Sequence, residues 1–195
     1  MYLKSNSFIH IVYLFQTNIK MKNRFLLLLA PAIIFLASCG GTKKEETVSL
    51  PGMKQVDITI NGNALTVIVP DFTKGPLQIV EKPWGATEIS VGTDFQISIE
   101  EGPGDIALLK SDIAADDVYK LQKFITDNPK LVFWEVKILD MEGTKFHFYN
   151  IVPAGKTTYI VKDIETGESY SQTAVQKMID AAQTLAAKEV KAPDA

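Results

Sequence analysis

From residue 55 onward, apolar and polar positions mostly alternate one by one, the period of a half-buried strand. Val56, Ile58 and Ile60 alternate with Asp57 and Thr59, and Asn61-Gly62 follows, the strongest short signal for a two-residue hairpin. Leu65, Val67 and Val69 form the returning strand, which Pro70 ends. Breakers at Lys74-Gly75-Pro76 and Lys82-Pro83-Trp84-Gly85 bound two shorter strands, Leu77 to Val80 and Thr87 to Val91. A clearer strand comes next, with Phe95, Ile97 and Ile99 alternating with Gln96 and Ser98, until Glu100 to Gly104 breaks the pattern.

The period then lengthens. Ala114, Val118, Leu121 and Ile125 recur at helical spacing, which predicts a helix over Ser111 to Asn128. Ser111 or Asp112 can cap it, Asp116 and Asp117 suit its early turns, Lys120 and Lys123 suit its later ones, and Asn128-Pro129 stops it. Asp116 and Lys120 form a favourable i, i+4 pair. Alternation returns with Val132, Trp134, Val136 and Ile138 on one side of a strand and Phe133, Glu135 and Lys137 on the other. Met141-Glu142-Gly143 turns the chain, and Phe146 and Phe148 then alternate with Lys145, His147 and Tyr149. Pro153-Ala154-Gly155 turns it again into a strand over Thr157 to Asp163, closed by Thr166-Gly167. Ser171 caps a last helix that buries Val175, Met178, Ala182 and Leu185, and the tail from Glu189 is polar.

Strands followed by a helix, twice over, with hairpin turns in place of long crossovers, predict an α+β fold: an antiparallel sheet built from hairpins with two main helices packed on one face. Residues 55–195 number 141, enough for one domain to bury roughly two-thirds of its unfolded surface.

The residues ahead of this domain follow another logic. Lys22 and Arg24 precede an apolar run from Phe25 to Leu36, interrupted by Pro31 and followed by small Ala37 and Ser38. At about 12 residues the run is short of the ~20 that a membrane span needs, and it matches the apolar core of a secretory signal. Leu36-Ala37-Ser38-Cys39 resembles the lipobox of bacterial lipoproteins, and Cys39 is the chain's only cysteine. The resemblance implies that a dedicated peptidase cuts between Ser38 and Cys39, and that lipid with acyl chains such as palmitate is attached to Cys39. Cys39-Gly40-Gly41 is a typical continuation, and Lys44-Glu45-Glu46 resembles the tether signal of Bacteroidota lipoproteins exported to the cell surface. On this reading residues 1–20 are an over-long gene start with Met21 as the initiator. Residues 21–38 are the signal peptide, residues 39–54 the lipidated cysteine and its tether, and residues 55–195 the folded domain. The expected location is the cell envelope, anchored in the outer membrane on its periplasmic or surface side.

Cleavage before Cys39 changes the charge. The segment removed holds four of the chain's 20 basic residues, including its only arginine, and none of its 23 acids. The remainder carries 16 lysines and a net charge of about −7. An acidic surface without arginine repels nucleic acid and lacks the fork that grips phosphate bidentately. With Cys39 lipidated, no thiol is left for disulfides or metals.

Few residues suggest catalysis. Gly155-Lys156-Thr157 matches the end of a phosphate-binding loop, but the earlier glycine such a loop requires is replaced by Asn150, and a strand follows where the motif needs a helix. His147 is the only histidine after residue 38, so zinc would have to rely on carboxylates, and no cofactor or metal is expected. Ser90, Ser98, Ser111, Ser169 and Ser171 lie in no nucleophile-elbow pattern. Glu100 and Glu101 face opposite sides of a strand and cannot share a proton. By its alternation with Phe146 and Phe148, His147 is expected on the surface, and Trp84, in a Pro/Gly loop, is expected to plug an edge of the core.

One constellation suits recognition. If residues 132–139 and 144–151 pair, Phe133, Glu135, Lys145, His147 and Tyr149 are expected to share an outer face that binds a partner or ligand. The competing expectation is a face partly covered by a helix or loop and otherwise solvated. The leading functional expectation is a lipid-anchored envelope protein with a non-catalytic binding or scaffolding domain, whose partners are the membrane, through Cys39, and an envelope protein. The alternatives are a small envelope hydrolase using His147 and carboxylates, and a protective lipoprotein that plugs a toxin or enzyme.

Overall fold

The computed structural model describes residues 51–139, 143–165 and 169–189. The expected signal peptide, the lipobox-like stretch with Cys39, the expected tether signal Lys44-Glu45-Glu46, most of the turn at Met141-Glu142-Gly143, Thr166-Gly167 and the last six residues lie outside them.

β1 (Met53–Ile60) and β2 (Asn63–Pro70) form the expected hairpin. Asn61 and Gly62 both have positive φ and take the doubly left-handed turn that matches the twist of paired strands. A two-residue strand, β10 (Ala186–Ala187), adds to the other side of β2. The remaining strands build a second, seven-stranded sheet in the order β3-β4-β5-β9-β8-β7-β6. They are β3 (Leu77–Glu81), β4 (Thr87–Val91), β5 (Phe95–Glu101), β6 (Tyr119–Asp127), β7 (Leu131–Ile138), β8 (Thr144–Ala154) and β9 (Thr157–Asp163). Every pairing between described strands is antiparallel. The α+β class holds, with two sheets in place of one.

Among the described residues the α-helices are α1 (Ile106–Ala115) and α2 (Gln172–Ala182). α2 starts where expected, with Ser171 Oγ accepting from the Ala174 amide at 3.1 Å. It buries Val175, Met178, Ile179 and Ala182 while touching β2 of the small sheet and β5, β8 and β9 of the large one. The main core forms around it from Val67, Ile97, Ile99, Phe148, Tyr159 and Val161. Leu185, expected on this helix, is buried just beyond its end.

The helix expected over Ser111–Asn128 is corrected. The real helix starts earlier, where Asp105 accepts from the Leu108 amide at 2.9 Å. It ends at Ala115, because the Asp116 carboxylate accepts from the amides of both Val118 and Tyr119, each at 2.8 Å, and turns the backbone out of the helix. The following residues form β6 instead, paired along β7 with two bulges. Lys120 Nζ reaches the Asp116 backbone carbonyl at 3.0 Å and the Asp117 carboxylate at 3.1 Å, so its ion pair is with Asp117 and not, as expected, with Asp116.

The helices also fail to share a face. A Cβ on Gly104, which leads into α1, would meet the side chains of Ile151 and Tyr149, and Lys110 of α1 stacks 5.0 Å from the Phe124 ring centroid. Those residues lie on the side of the large sheet opposite Phe148 and α2. Among the described residues, no helix is long and apolar enough to cross a membrane.

Tyr159 is completely buried, and its hydroxyl has no hydrogen-bond partner among the described residues. An unpaired buried hydroxyl costs about 1–3 kcal/mol. Tyr159→Phe is therefore expected to leave stability unchanged or raise it by about 1 kcal/mol, read from the midpoint of urea unfolding. A loss of more than ~1 kcal/mol would mean that the hydroxyl has a partner.

Candidate functional site

β7 and β8 pair as expected, but their register divides the predicted binding face. Phe133 lies opposite Phe148 and Glu135 opposite Phe146, while Trp134 lies opposite His147, Val132 opposite Tyr149 and Val136 opposite Lys145. Directly paired residues point to the same side. Phe133 and Glu135 therefore sit on the α2 side, where Phe133 is in the core and Glu135 pairs with Lys123 at 3.1 Å. Lys145, His147 and Tyr149 sit on the α1 side with Val132, Trp134 and Val136. The expected five-residue face does not form.

His147 is not a free surface residue. Its side chain is 13% exposed and its Nδ1 lies 2.8 Å from Asp163 Oδ2, a carboxylate that is itself 3% exposed. At that distance Nδ1 carries a proton and donates it to the carboxylate. The other oxygen, Oδ1, accepts the Phe148 amide at 2.8 Å, so one acid at the end of β9 holds both the ring and the backbone of β8. Trp134 lies beside the imidazole with centroids 5.6 Å apart, and Tyr119 meets it edge-on at 6.3 Å. Burial alone would push the His147 pKa down. The hydrogen bond and charge of Asp163, with a smaller contribution from Glu165, outweigh burial and hold it above its ordinary value. Tyr149 is pushed up by burial, with the Asp105 backbone acting the other way.

A histidine oriented by a buried acid can shuttle a proton, provided that its other nitrogen faces a nucleophile. Among the described residues, no hydroxyl is hydrogen-bonded to His147, and no group of three or more His, Cys, Asp or Glu residues could hold a metal. The pair instead locks β8 to β9.

A broad cleft lies elsewhere. A cleft of about 700 Å³ opens between the start of β1, the short 3-10 turn Phe72–Lys74, the β4–β5 turn and the N-terminus of α2. Met53, Phe95 and Tyr170 give it an apolar wall, and Lys74, Lys177 and Asp180 are among its charged groups. Two glycines next to its lining residues Lys74, Val91 and Thr93 let two chain segments approach closely. Gly92 has positive φ, and a Cβ there would stand 2.6 Å from the Lys74 carbonyl oxygen, while one on Gly75 would stand 2.5 Å from the Gly92 Cα.

Trp84 does not plug the core, because it is 70% exposed. Gly155-Lys156 forms the β8–β9 turn into a strand, so the phosphate-loop resemblance carries no structural counterpart. Glu100 pairs with Lys162 at 3.2 Å while Glu101 accepts from Asn61 at 3.1 Å, apart from each other as expected. Sequence reasoning missed Asp163 and Trp134 as neighbours of His147, because both contacts depend on strand register. It missed the cleft because its walls come from segments distant in the chain. In comparison with known proteins, the chain matches no family model, no curated protein and no solved structure.

Proposed function

We propose that this is a lipid-anchored protein of the bacterial cell envelope, held in the outer membrane through Cys39, whose α+β domain binds or scaffolds rather than catalyses. The observation that carries the binding role is the 700 Å³ cleft, a concave site whose apolar wall of Met53, Phe95 and Tyr170 is set among many polar and charged groups, Lys74, Lys177 and Asp180 included. The anchoring role rests on the lipobox resemblance. Each buried methylene of an acyl chain adds about 0.8 kcal/mol of membrane affinity, so more than one chain makes the attachment firm.

Cys39→Ala is expected to move the protein from the membrane fraction to the soluble one, or to leave an uncut precursor. Normal processing and membrane recovery of that variant would sink the anchoring role. A hydrolase is the second reading, and the His147–Asp163 pair is the observation that favours it. Ester or amide turnover that disappears in His147→Asn with the fold intact would establish the hydrolase in place of the binding module.

A further inference from the structure

The outer face of the large sheet is covered unevenly. Over β7, on the α1 side, Val132 and Val136 are buried, whereas on β3 at the other edge Gln78 is exposed and Val80 is 45% exposed. The uncovered half has a distinct chemistry. Gln78 lies opposite Ser90, and Ser90 opposite Gln96, so three neutral side chains stand in a row across β3, β4 and β5. At strand spacing the row spans about 10 Å. Gln78 and Ser90 have no side-chain hydrogen bond among the described residues, and Gln96 gives one amide hydrogen to the Thr93 carbonyl at 3.4 Å, leaving its oxygen to accept. The row lines a groove of about 400 Å³ that also includes Pro76, Glu88 and Ile164.

The charges on this face already satisfy one another. Lys82 pairs with Glu88 at 2.7 Å, and Lys162 with Glu100 at 3.2 Å. An ion would find little uncompensated charge there, and a purely apolar ligand would strand the amides. In the turn that joins β3 to β4, Trp84 presents its indole to solvent, with Lys82 Nζ 5.7 Å from the ring centroid. Neutral hydrogen-bonding groups in a row, with an exposed aromatic plate further along the same hairpin, complement the alternating hydroxyl edges and C–H faces of a sugar chain. We propose that the uncovered outer face of β3, β4 and β5 binds a neutral oligosaccharide, with Gln78, Ser90 and Gln96 bonding its hydroxyls and Trp84 stacking on a ring. This site is separate from the cleft at the N-terminus of α2, and the proposal rests on the reading of the domain as a binding module.

The test uses the full chain in a non-glycosidic detergent, titrated with cellohexaose, chitohexaose, laminarihexaose and maltohexaose and with an uncharged extended peptide. Calorimetry and tryptophan fluorescence read binding. At least one glycan is expected to bind saturably, with Trp84→Ala weakening it about tenfold or more and Gln78→Ala or Gln96→Ala weakening it about fivefold each. Trp134→Phe should leave the fluorescence response in place. Unchanged melting temperatures for the Trp84 and Gln78 variants, both exposed, would show that the fold is intact. Failure of all four glycans to bind, equal binding by Trp84→Ala, or binding of the peptide alone along the β3 edge would each overturn the assignment. None of these results bears on anchoring at Cys39 or on ligands of the cleft.

Discussion

Replacing Asp163 by alanine is expected to destabilise the domain by about 2–4 kcal/mol, because two groups lose their acceptor at once. The Phe148 amide would be left unpaired in a buried position, which costs about 1–3 kcal/mol. The His147 ring would lose its only hydrogen-bond partner among the described residues while still packed between Trp134 and Tyr119. Chemical denaturation at mildly acidic pH would measure the loss, and a change below ~1 kcal/mol would mean that the pair is ornamental. The same contact sets a pH dependence. The His147 pKa is raised by folding, so the protonated ring contributes stability in full below its unfolded value of about 6.5. That contribution fades as pH rises through the folded pKa. Wild-type stability should therefore fall on passing from mildly acidic to mildly alkaline solution, and His147→Asn should remove most of that slope.

Phe148→Ala is expected to cost about 3–5 kcal/mol, the range for removing a buried aromatic ring. Phe148 is fully buried among residues packed around α2, whereas its neighbour His147 points to the opposite side. The contrast with Trp84→Ala is diagnostic, because that ring is large but 70% exposed. Its removal should change stability by no more than about 0.5 kcal/mol. Unfolding midpoints of the two variants would check the assignment of faces. Comparable losses would contradict it.

How much of this was legible in the chain differs from element to element. The β1–β2 hairpin was readable because its information is local: Asn61-Gly62 accepts the left-handed turn, and the alternation on either side names the buried face. The α2 helix was readable for a similar reason, from its Ser171 cap and the stripe of Val175, Met178 and Ala182. The segment from Val118 to Asp127 was not. Val118, Leu121 and Ile125 fit a helical stripe, yet Val118, Tyr119, Phe124, Ile125 and Thr126 are also β-branched or aromatic strand formers. Pairing with β7 and the Asp116 turn decided between the two. Each part satisfied by a long-range partner was invisible in the same way.

The predicted binding face failed on parity. Lys137 pairs with Thr144, leaving six residues between them, so odd positions of β7 face even positions of β8. A shift of one residue moves every side chain to the other side of a sheet. Phe133 and Glu135 were thereby separated from Lys145, His147 and Tyr149, and His147 came to lie beside Trp134 and against Asp163. Each strand's own alternation was correct, and only their mutual register was out of reach.

The intact mass of the protein purified from membranes tests the central claim most directly. The account predicts a polypeptide that begins at Cys39 and carries the added mass of a diacylglycerol with its acyl chains, lost from the Cys39→Ala variant. A chain retaining the residues before Cys39, with its single thiol free and reactive, would contradict it.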